Sequence, residues 1–487
     1  MRKYYGITIG PITETLELSS KPLGLWLASY MFSELSYKIC EKLDGKGIKI
    51  LSPHFLKKDN NSQSAIGKYH DRVIFEVEEN IDLDLDRLIE EAKDEILKKL
   101  NVDVDASYFY CKYDNVDEDT LAFENVIKYL GAKLDALELA REYFDVNNMF
   151  IFRELFGNND NVKITSFFGD CYDSLNRDIC LINSNADVRD LNSICNNKYY
   201  AILQADGDGV GQLLSDLPNE EISEFSKCLF EYSNELSDVI KEYGGSLIYA
   251  GGDDALAIVP LWKKRCGDDE RPLHILELCQ KINKLFVHHM TMFLDKFNDN
   301  AQNPNGLKSN LSVSFGVSIY YHKFPLYEAF KKSVKQLFER AKNHKNCIAI
   351  YAQKHSGQYF ETIIENPQEG TLSEEYFNAI KASIIHSSVK SNTSFIYHLM
   401  QERALFEFAI SKSLELDIAN PIENLFKNYF DNVDQISNQD LQYNLEFVKQ
   451  LIMMKKSKKL GADQIFRDII QMIRIRKFLQ EMNLDDE

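Results

Sequence analysis

Residues 199–214, YYAILQADGDGVGQLL, and residues 243–259, YGGSLIYAGGDDALAIV, decide how this chain is read. The first stretch is an apolar strand that runs into Asp206-Gly207-Asp208-Gly209. After Pro218, the apolar residues Ile222, Phe225, Leu229, Tyr232, Leu236, Val239 and Tyr243 recur at steps of three and four. Such spacing forms one stripe on one helical face, and Gly244-Gly245 ends the helix. The second stretch is a pair of apolar strands, Leu247 to Ala250 and Ala255 to Val259, joined by Gly251-Gly252-Asp253-Asp254 as a hairpin. A strand, a helical crossover and a hairpin beside that strand bring Asp206, Asp253 and Asp254 to one edge of one sheet.

Outward from this centre the pattern completes itself. A helix is predicted from Leu273 to Phe297, then a loop with Asn-Pro-Asn-Gly at 303–306 and an alternating strand from Leu311 to Tyr321. A helix from Leu326 to Asn343 and a closing strand from Cys347 to Tyr351 follow. The same β-α-β-β-α-β order stands at the N-terminus: a strand at Tyr4–Ile12, a helix at Lys21–Leu43 with Pro22 in its first turn, strands at Ile48–Leu51 and Arg72–Val77, a helix at Asp82–Leu100 and a strand at Ala106–Tyr113. The chain therefore reads as α+β, with two ferredoxin-like (βαββαβ) palm domains. The expected boundaries are a first palm at 1–116, a linker domain at 117–197 with a helix near Leu121–Phe144, a second palm at 198–355 and an α-helical domain at 356–487.

A chain of 487 residues is too long for one core. Its net charge of −19 argues against nucleic-acid binding over the whole surface, because phosphate neutralisation needs basic residues. Contact with nucleic acid is expected to be local or made through partner subunits. The basic run Lys455, Lys456, Lys458, Lys459, Arg467, Arg474, Arg476, Lys477 reads as a solvated helix face or as a docking surface for RNA or a partner. The nine cysteines are scattered without a CxxC pair, which argues against a disulfide framework or a structural zinc site; Cys171, Cys180 and Cys195 come nearest to a cluster. Gly24 to Phe32 is the most apolar stretch and too short to span a bilayer, and no apolar segment follows Met1-Arg2-Lys3. No membrane association and a cytoplasmic location are expected.

Three carboxylates at one sheet edge suit hard divalent cations, Mg2+ or Mn2+, of the kind that clamp an attacking hydroxyl and a leaving pyrophosphate. Asp206 and Asp253 are the candidate shared ligands, with Asp254 close by and the Gly207 carbonyl as a further ligand. Gly251 and Gly252 allow a tight turn and leave room for a nucleotide. Lys342, or Lys345 after it, is a candidate handle for the β- and γ-phosphates. Either Asp-Gly segment alone reads equally as a turn, and Lys342 as a helix-end lysine favoured by the helix dipole. Their combination, each between apolar strands and in this order, makes the case for catalysis.

Residues 199–214 and 243–259, together with LSVSFGVSIYY (311–321) and FERAKNHKNCIAIY (338–351), closely resemble the second palm of the large polymerase/cyclase subunit of type III CRISPR effector complexes. ITIGPITETLELSSKPLGLWLASYMFSELSYKIC (7–40) and IKILSPHF (48–55) resemble that family's first palm, and the type III-B form matches best. The resemblance implies partners, namely guide-RNA-containing type III subunits and target RNA. It also implies an activity: bound target RNA switches on conversion of ATP to a second messenger, usually cyclic oligoadenylate. Asp206, Asp253 and Asp254 would hold the metals and Lys342 would meet the triphosphate. The first palm has Gly10-Pro11 where the second has its Asp-Gly-Asp, so it is expected to bind no metal and to act as a second nucleotide wall, with Ser29 and Lys21 as candidates. Many members carry an N-terminal HD nuclease domain, which is expected to be absent. His70-Asp71 spells the motif but precedes a strand and lacks the other ligands. Some members without that domain are thought to transfer AMP to S-adenosylmethionine, which is an alternative acceptor here. Two other readings compete. One is a diguanylate cyclase of the GGDEF class, disfavoured by Asp254 in place of Glu and by the missing RxxD; the other is a non-catalytic scaffold.

Overall fold

The computed structural model describes residues 2–19, 21–57, 66–100, 108–121, 125–140, 198–263, 272–300, 310–416, 418–430, 436–456 and 460–484. Cys171, Cys180, Cys195 and most of the expected linker domain lie outside the described residues.

Strands β1 (Arg2–Gly10), β2 (Lys49–Ser52), β3 (Arg72–Glu78) and β4 (Tyr110–Asp117) form one antiparallel sheet in the order β2-β3-β1-β4. Strands β5 (Tyr199–Asp208), β6 (Ser246–Gly251), β7 (Asp254–Val259), β8 (Ser312–Tyr321), β9 (Cys347–Gln353) and β10 (Tyr359–Glu365) form a second, ordered β10-β9-β8-β5-β7-β6. Within it only β8 and β9 run parallel. The first four strands of each copy are arranged identically around β1 and around β5. The fold is α+β with two sheets, as the sequence pattern predicts.

Pro11 ends β1 earlier than the sequence reading has it, because proline offers no N–H to the ladder and a short helix, Ile12–Glu17, starts beyond it. β4 begins at Tyr110, later than the expected Ala106. The helix Ile222–Tyr243 coincides with the predicted apolar stripe, and Gly244 closes it in the left-handed conformation at φ 95°.

β5 is apolar from Tyr199 to Leu203 because both faces of the second sheet are covered there. Ala201, Leu203, Ala257 and Val259 face a core with helices Ile222–Tyr243 and Ile275–Asn300. Tyr200, Ile202, Ile248 and Ile258 face the other core, shared with Trp26 and Phe32 of the helix Pro22–Asp44. That helix wedges the first sheet onto the back of the second, so the two palms share a core.

Two expected boundaries change. β10 pairs with β9 from Tyr359↔Gln353 to Glu365↔Cys347, so the second sheet continues past residue 355 and the helices begin at Leu372. The helix expected near Leu121–Phe144 is a short turn at Glu118–Leu121 and a helix at Val126–Leu139. The latter packs on the first sheet, with Leu130 and Leu134 over Gly6, where a Cβ would lie 3.1 Å from Leu134 Cδ1. Its N-cap Asn125 accepts from the Ile127 and Lys128 N–H groups and donates to the carbonyls of Leu214 and Leu217, so it also ties the first palm to the second.

Among the described residues, six helices follow β10: Leu372–His386, Val389–Gln401, Arg403–Leu416, Asn420–Phe430, Asn438–Lys456 and Ala462–Leu484. The basic run does not form one solvated face. Arg476 is fully buried, its guanidinium donating to the side-chain carbonyls of Asn392 and Asn444 and lying 4.4 Å from the centre of the Phe447 ring. Lys455 is buried opposite Asp468 at 3.7 Å, and Lys458 and Lys459 lie outside the described residues.

Candidate active site

β5 pairs with β7 up to Ala205↔Ala255, and β6 with β7 up to Gly251↔Asp254. This register places Asp206 beside the hairpin turn that carries Asp253, as the sequence reading requires. Two glycines make the approach possible. A Cβ on Gly207 would lie 2.8 Å from Asp253 Cβ and 2.9 Å from Asp253 Oδ2, so only glycine admits that carboxylate. Gly252 takes the positive φ of the turn, 68°, while a Cβ on Gly251 would collide with the Tyr249 ring.

Electrostatics mark this edge as a place where negative charge is costly. Burial holds the Asp206 carboxyl above its ordinary range against the opposing pull of Lys342. Burial and then the Asp206 charge raise Asp253. Burial of the carboxyl and then the Asp253 charge raise Asp254, although the residue as a whole is exposed. Packed acids that resist ionisation alone gain most from a bound cation.

Lys342 is the cation already present. Its ammonium lies 2.6 Å from Asp206 Oδ1, 2.8 Å from the Gly207 carbonyl oxygen and 3.2 Å from the Asp206 carbonyl oxygen, with Asp208 Oδ1 at 3.3 Å. Among the described residues no three His, Cys, Asp or Glu side chains converge closely enough to enclose an ion by themselves. The donor set at the edge is instead mixed, with carboxylates from β5 and the hairpin and main-chain carbonyls from β5. Such all-oxygen chemistry fits Mg2+, which keeps several waters and takes one or two carboxylates. Asp206, Asp253, Asp254 and the Gly207 carbonyl are the groups that would hold it.

Asp208 is a residue whose role sequence reasoning missed. It is buried and accepts from Ser312 Oγ at 2.8 Å, from Ser314 Oγ at 2.8 Å and from the Asn346 N–H at 2.8 Å. The signal was the pair of serines two apart at the start of a mostly apolar strand, which must share one face. Lys345 is exposed, on the left-handed turn that follows Lys342, and the site's contacts run through Lys342.

A cavity of ≈ 330 Å³ opens between the palms, lined on one side by Ser29, Ser33 and Asp71 and on the other by Gln204, Tyr249 and Asp254. Ser29 thus lines this cavity from the first palm. Lys21 is exposed at the start of the helix Pro22–Asp44 and outside the lining. The first-palm segment at residues 66–70 is bridged to β6, where Ala250 N–H donates to the Gly67 carbonyl at 2.9 Å. This pairing carries Asp71 to the cavity. Burial raises the Asp71 carboxyl, with Arg72 opposing. His70 is engaged through both ring nitrogens, with Ser52 Oγ at 3.0 Å and the Arg72 N–H at 3.3 Å, and burial pushes it down to about 4. It works as a structural bridge inside the first palm.

Residues 199–349 match the family model described as Cas10/Cmr2, second palm domain. The chain carries a Cas10/Cmr2 second palm. The Cmr subunit Cmr2 of Pyrococcus furiosus is 29% identical over 235 residues, covering 42% of this chain and 24% of that protein, so the match spans about a quarter of the relative's length. The crystal structure of a Csm1-Csm4 cassette in complex with pppApA shares the fold at a TM-score of 0.53 and 11% identity, covering 97% of this chain and 69% of that one. The cryo-EM structure of a type III-B Cmr-beta complex bound to cognate target RNA gives 0.55 and 10%, covering 90% and 80%. The Cas10/Cmr2 palm, the Cmr2 relative and the shared fold together support a subunit of the type III Cas10 kind.

Proposed function

We propose that this chain is the target-RNA-activated, Mg2+-dependent adenylyl transferase of a type III CRISPR complex, making an adenylate second messenger, cyclic oligoadenylate, from ATP. The observation that carries the reading is the meeting of Asp206, Asp253 and Lys342 at the β5 edge, where the two acids are next in the chain to Ala205 and Asp254, which line the cavity between the palms. A divalent ion bound there would neutralise charge on the triphosphate and on the attacking hydroxyl. Asp206, Asp253, Asp254 and the Gly207 carbonyl would hold it, and the Lys342 ammonium would meet the β- and γ-phosphates. Gly251 and Gly252 keep the hairpin low under the nucleotide. The first palm, at about residues 1–116, provides the opposite wall through Ser29, and the second palm, from residue 198, supplies the chemistry. The relative bound to pppApA supports adenylate chemistry on this fold, and the one bound to target RNA supports the proposed partners. No described helix is long and apolar enough to cross a membrane, and we place the complex in the cytoplasm.

One observation favours a second acceptor. Asp71 adds a carboxylate to the first-palm wall of an otherwise mostly uncharged cavity. An acceptor with a sulfonium and an ammonium group, S-adenosylmethionine, would suit that wall better than a second ATP. Mass spectrometry of products from the assembled complex with target RNA, Mg2+ and ATP, with and without S-adenosylmethionine, tests both. Adenylate rings or chains from ATP alone support the first reading, and a product formed only with S-adenosylmethionine supports the second. No nucleotide product under either condition would leave a scaffold.

A further inference from the structure

Lys342 makes four contacts to oxygen through one ammonium group, to the Asp206 carboxylate, the Asp206 and Gly207 carbonyls and Asp208 Oδ1. A surface ion pair uses one carboxylate and leaves the rest of the ammonium to water. Here a carboxylate and two main-chain carbonyls converge on it, the hard-oxygen chemistry that a divalent ion also needs. Asp206 and the Gly207 carbonyl are the groups assigned above to the metal, so the inference rests on that reading. One set of oxygens cannot serve two cations at once.

We propose that Lys342 is a placeholder cation: in the nucleotide-free protein its ammonium occupies the oxygen set of the metal, and a nucleoside triphosphate draws it off so that metal and nucleotide load together.

The surrounding backbone is built to hold the lysine's Cα and free its head. The preceding turn, Gln336–Ala341, is a π-helix set against Gly316, where a Cβ would lie 2.5 Å from both Leu337 N and the Ser333 carbonyl. Such widened turns inside a helix re-aim the residues that follow. Beyond Lys342, Lys345 and Asn346 adopt positive φ values of 58° and 47°, which non-glycine residues hold only when their surroundings enforce it. The enforcement is visible. Asn346 N–H donates to Asp208 Oδ2 at 2.8 Å, Asn366 N–H donates to the Asn346 carbonyl at 2.9 Å, and the Asn366 side chain donates to the Val313 carbonyl at 2.7 Å. Asp208 is occupied by Ser312, Ser314 and this loop, which makes it the anchor of the loop rather than a group available to an ion. The lysine side chain is 22% exposed, so a rotation of its stem can bring the head toward an arriving phosphate without unseating the loop.

The consequence is linkage. The two ligands are coupled through one side chain, so each raises the affinity of the other. Without nucleotide the palm would hold little divalent metal, and a protein that lacks the ammonium would hold more.

The test is Mn2+ binding to the full chain without nucleotide, followed by electron paramagnetic resonance, for wild type, Lys342→Met and Lys342→Gln, with melting curves to establish that each variant is folded. The expected result is a rise in Mn2+ affinity of about tenfold in both variants, within the range usual for coupled sites. Equal or weaker binding in the folded variants would overturn the placeholder role. In wild type, Lys342 should become more reactive to amine acetylation as Mg2+ is raised in the absence of nucleotide; a flat profile would likewise overturn it. Failure of the underlying site looks different: wild type, the lysine variants and Asp206→Asn would all show the same negligible Mn2+ binding, with or without a non-hydrolysable ATP analogue.

Discussion

The two palms have the same strand order, β2-β3-β1-β4 in one and β6-β7-β5-β8 in the other, yet only one gathers acids at the end of its central strand. β1 stops at Gly10-Pro11, whereas β5 runs on through Asp206-Gly207-Asp208. β6 and β7 are joined by the short turn at Gly252-Asp253, whereas the β2–β3 connection occupies residues 53–71. Even the glycines diverge. A Cβ on Gly10 would strike the Tyr110 ring, and one on Gly207 would strike Asp253, so one copy fills the gap with a phenol and the other with a carboxylate. The architecture is thus indifferent to chemistry, which resides in a handful of residues at one sheet edge. The first palm keeps a single echo: Asp71 immediately precedes β3 as Asp253 precedes β7, and both palms send an acid to the shared cleft, Asp71 from one and Asp254 from the other.

The comparison can be broken most forcefully at Asp206. Asp206→Ala should reduce nucleotide product by well over the ~100-fold typical of losing an outer-shell partner of a metal site, and activity near wild type would remove the difference between the palms. Asp208→Asn should lower turnover by roughly 10- to 100-fold, since Asp208 positions the Lys342 loop without touching substrate. Its distinguishing sign is a KM for ATP that rises along with the fall in kcat, which a general loss of folded protein would not produce. The paired glycines sharpen the contrast. Gly10→Ala should cost about 1–3 kcal/mol by overpacking against Tyr110, seen as a lower Tm, with the activity of the folded fraction intact. Gly207→Ala should also lower Tm, through the clash of its Cβ with Asp253 and Val210, but should in addition abolish the activity of the folded fraction.

A smaller effect follows from pH. Asp206 and Asp253 are raised by burial, so between the ordinary carboxylate value and their raised values the folded protein binds more protons than the unfolded chain. Metal-free protein should therefore lose stability as pH rises across that window and regain it as pH falls. Mg2+ needs the ionised acids, so the Tm increase it gives should be small in acid and grow toward neutral and mildly alkaline pH. Asp71 is raised in the same direction, but its contribution should not respond to Mg2+. Thermal melts with and without Mg2+ across pH separate the two palms, and a Mg2+ shift independent of pH would contradict the assignment. The smallest effect is Asn125→Ala, which removes a helix cap and two donations to the second palm and should cost about 1 kcal/mol in Tm-derived stability, without changing KM.

What was legible in the sequence was whatever local periodicity writes directly. The helix Ile222–Tyr243 follows its apolar stripe from end to end, and the Gly-Gly-Asp-Asp hairpin sits where its turn residues require. What required the structure depends on contacts between distant segments. β10 is held as a strand along the edge that β9 offers it, although Tyr359, Phe360, Thr362, Ile363 and Ile364 already favour a strand. Asp208 looked like part of a turn until β8 placed Ser312 and Ser314 against it. Arg476 looked solvated because its neighbours in sequence are basic, while its partners Asn392 and Asn444 come from other helices. Asp71 reaches the cleft only through the bridge between residue 67 and β6.

The central claim is that the second palm alone performs metal-dependent nucleotidyl transfer. Its most direct test is the assembled complex carrying Asp253→Ala plus Asp254→Ala, supplied with target RNA, Mg2+ and ATP, with products read by mass spectrometry and target RNA binding measured on the same preparation. The account predicts that nucleotide product disappears while RNA binding stays at the wild-type level. Product surviving in that double variant would contradict it.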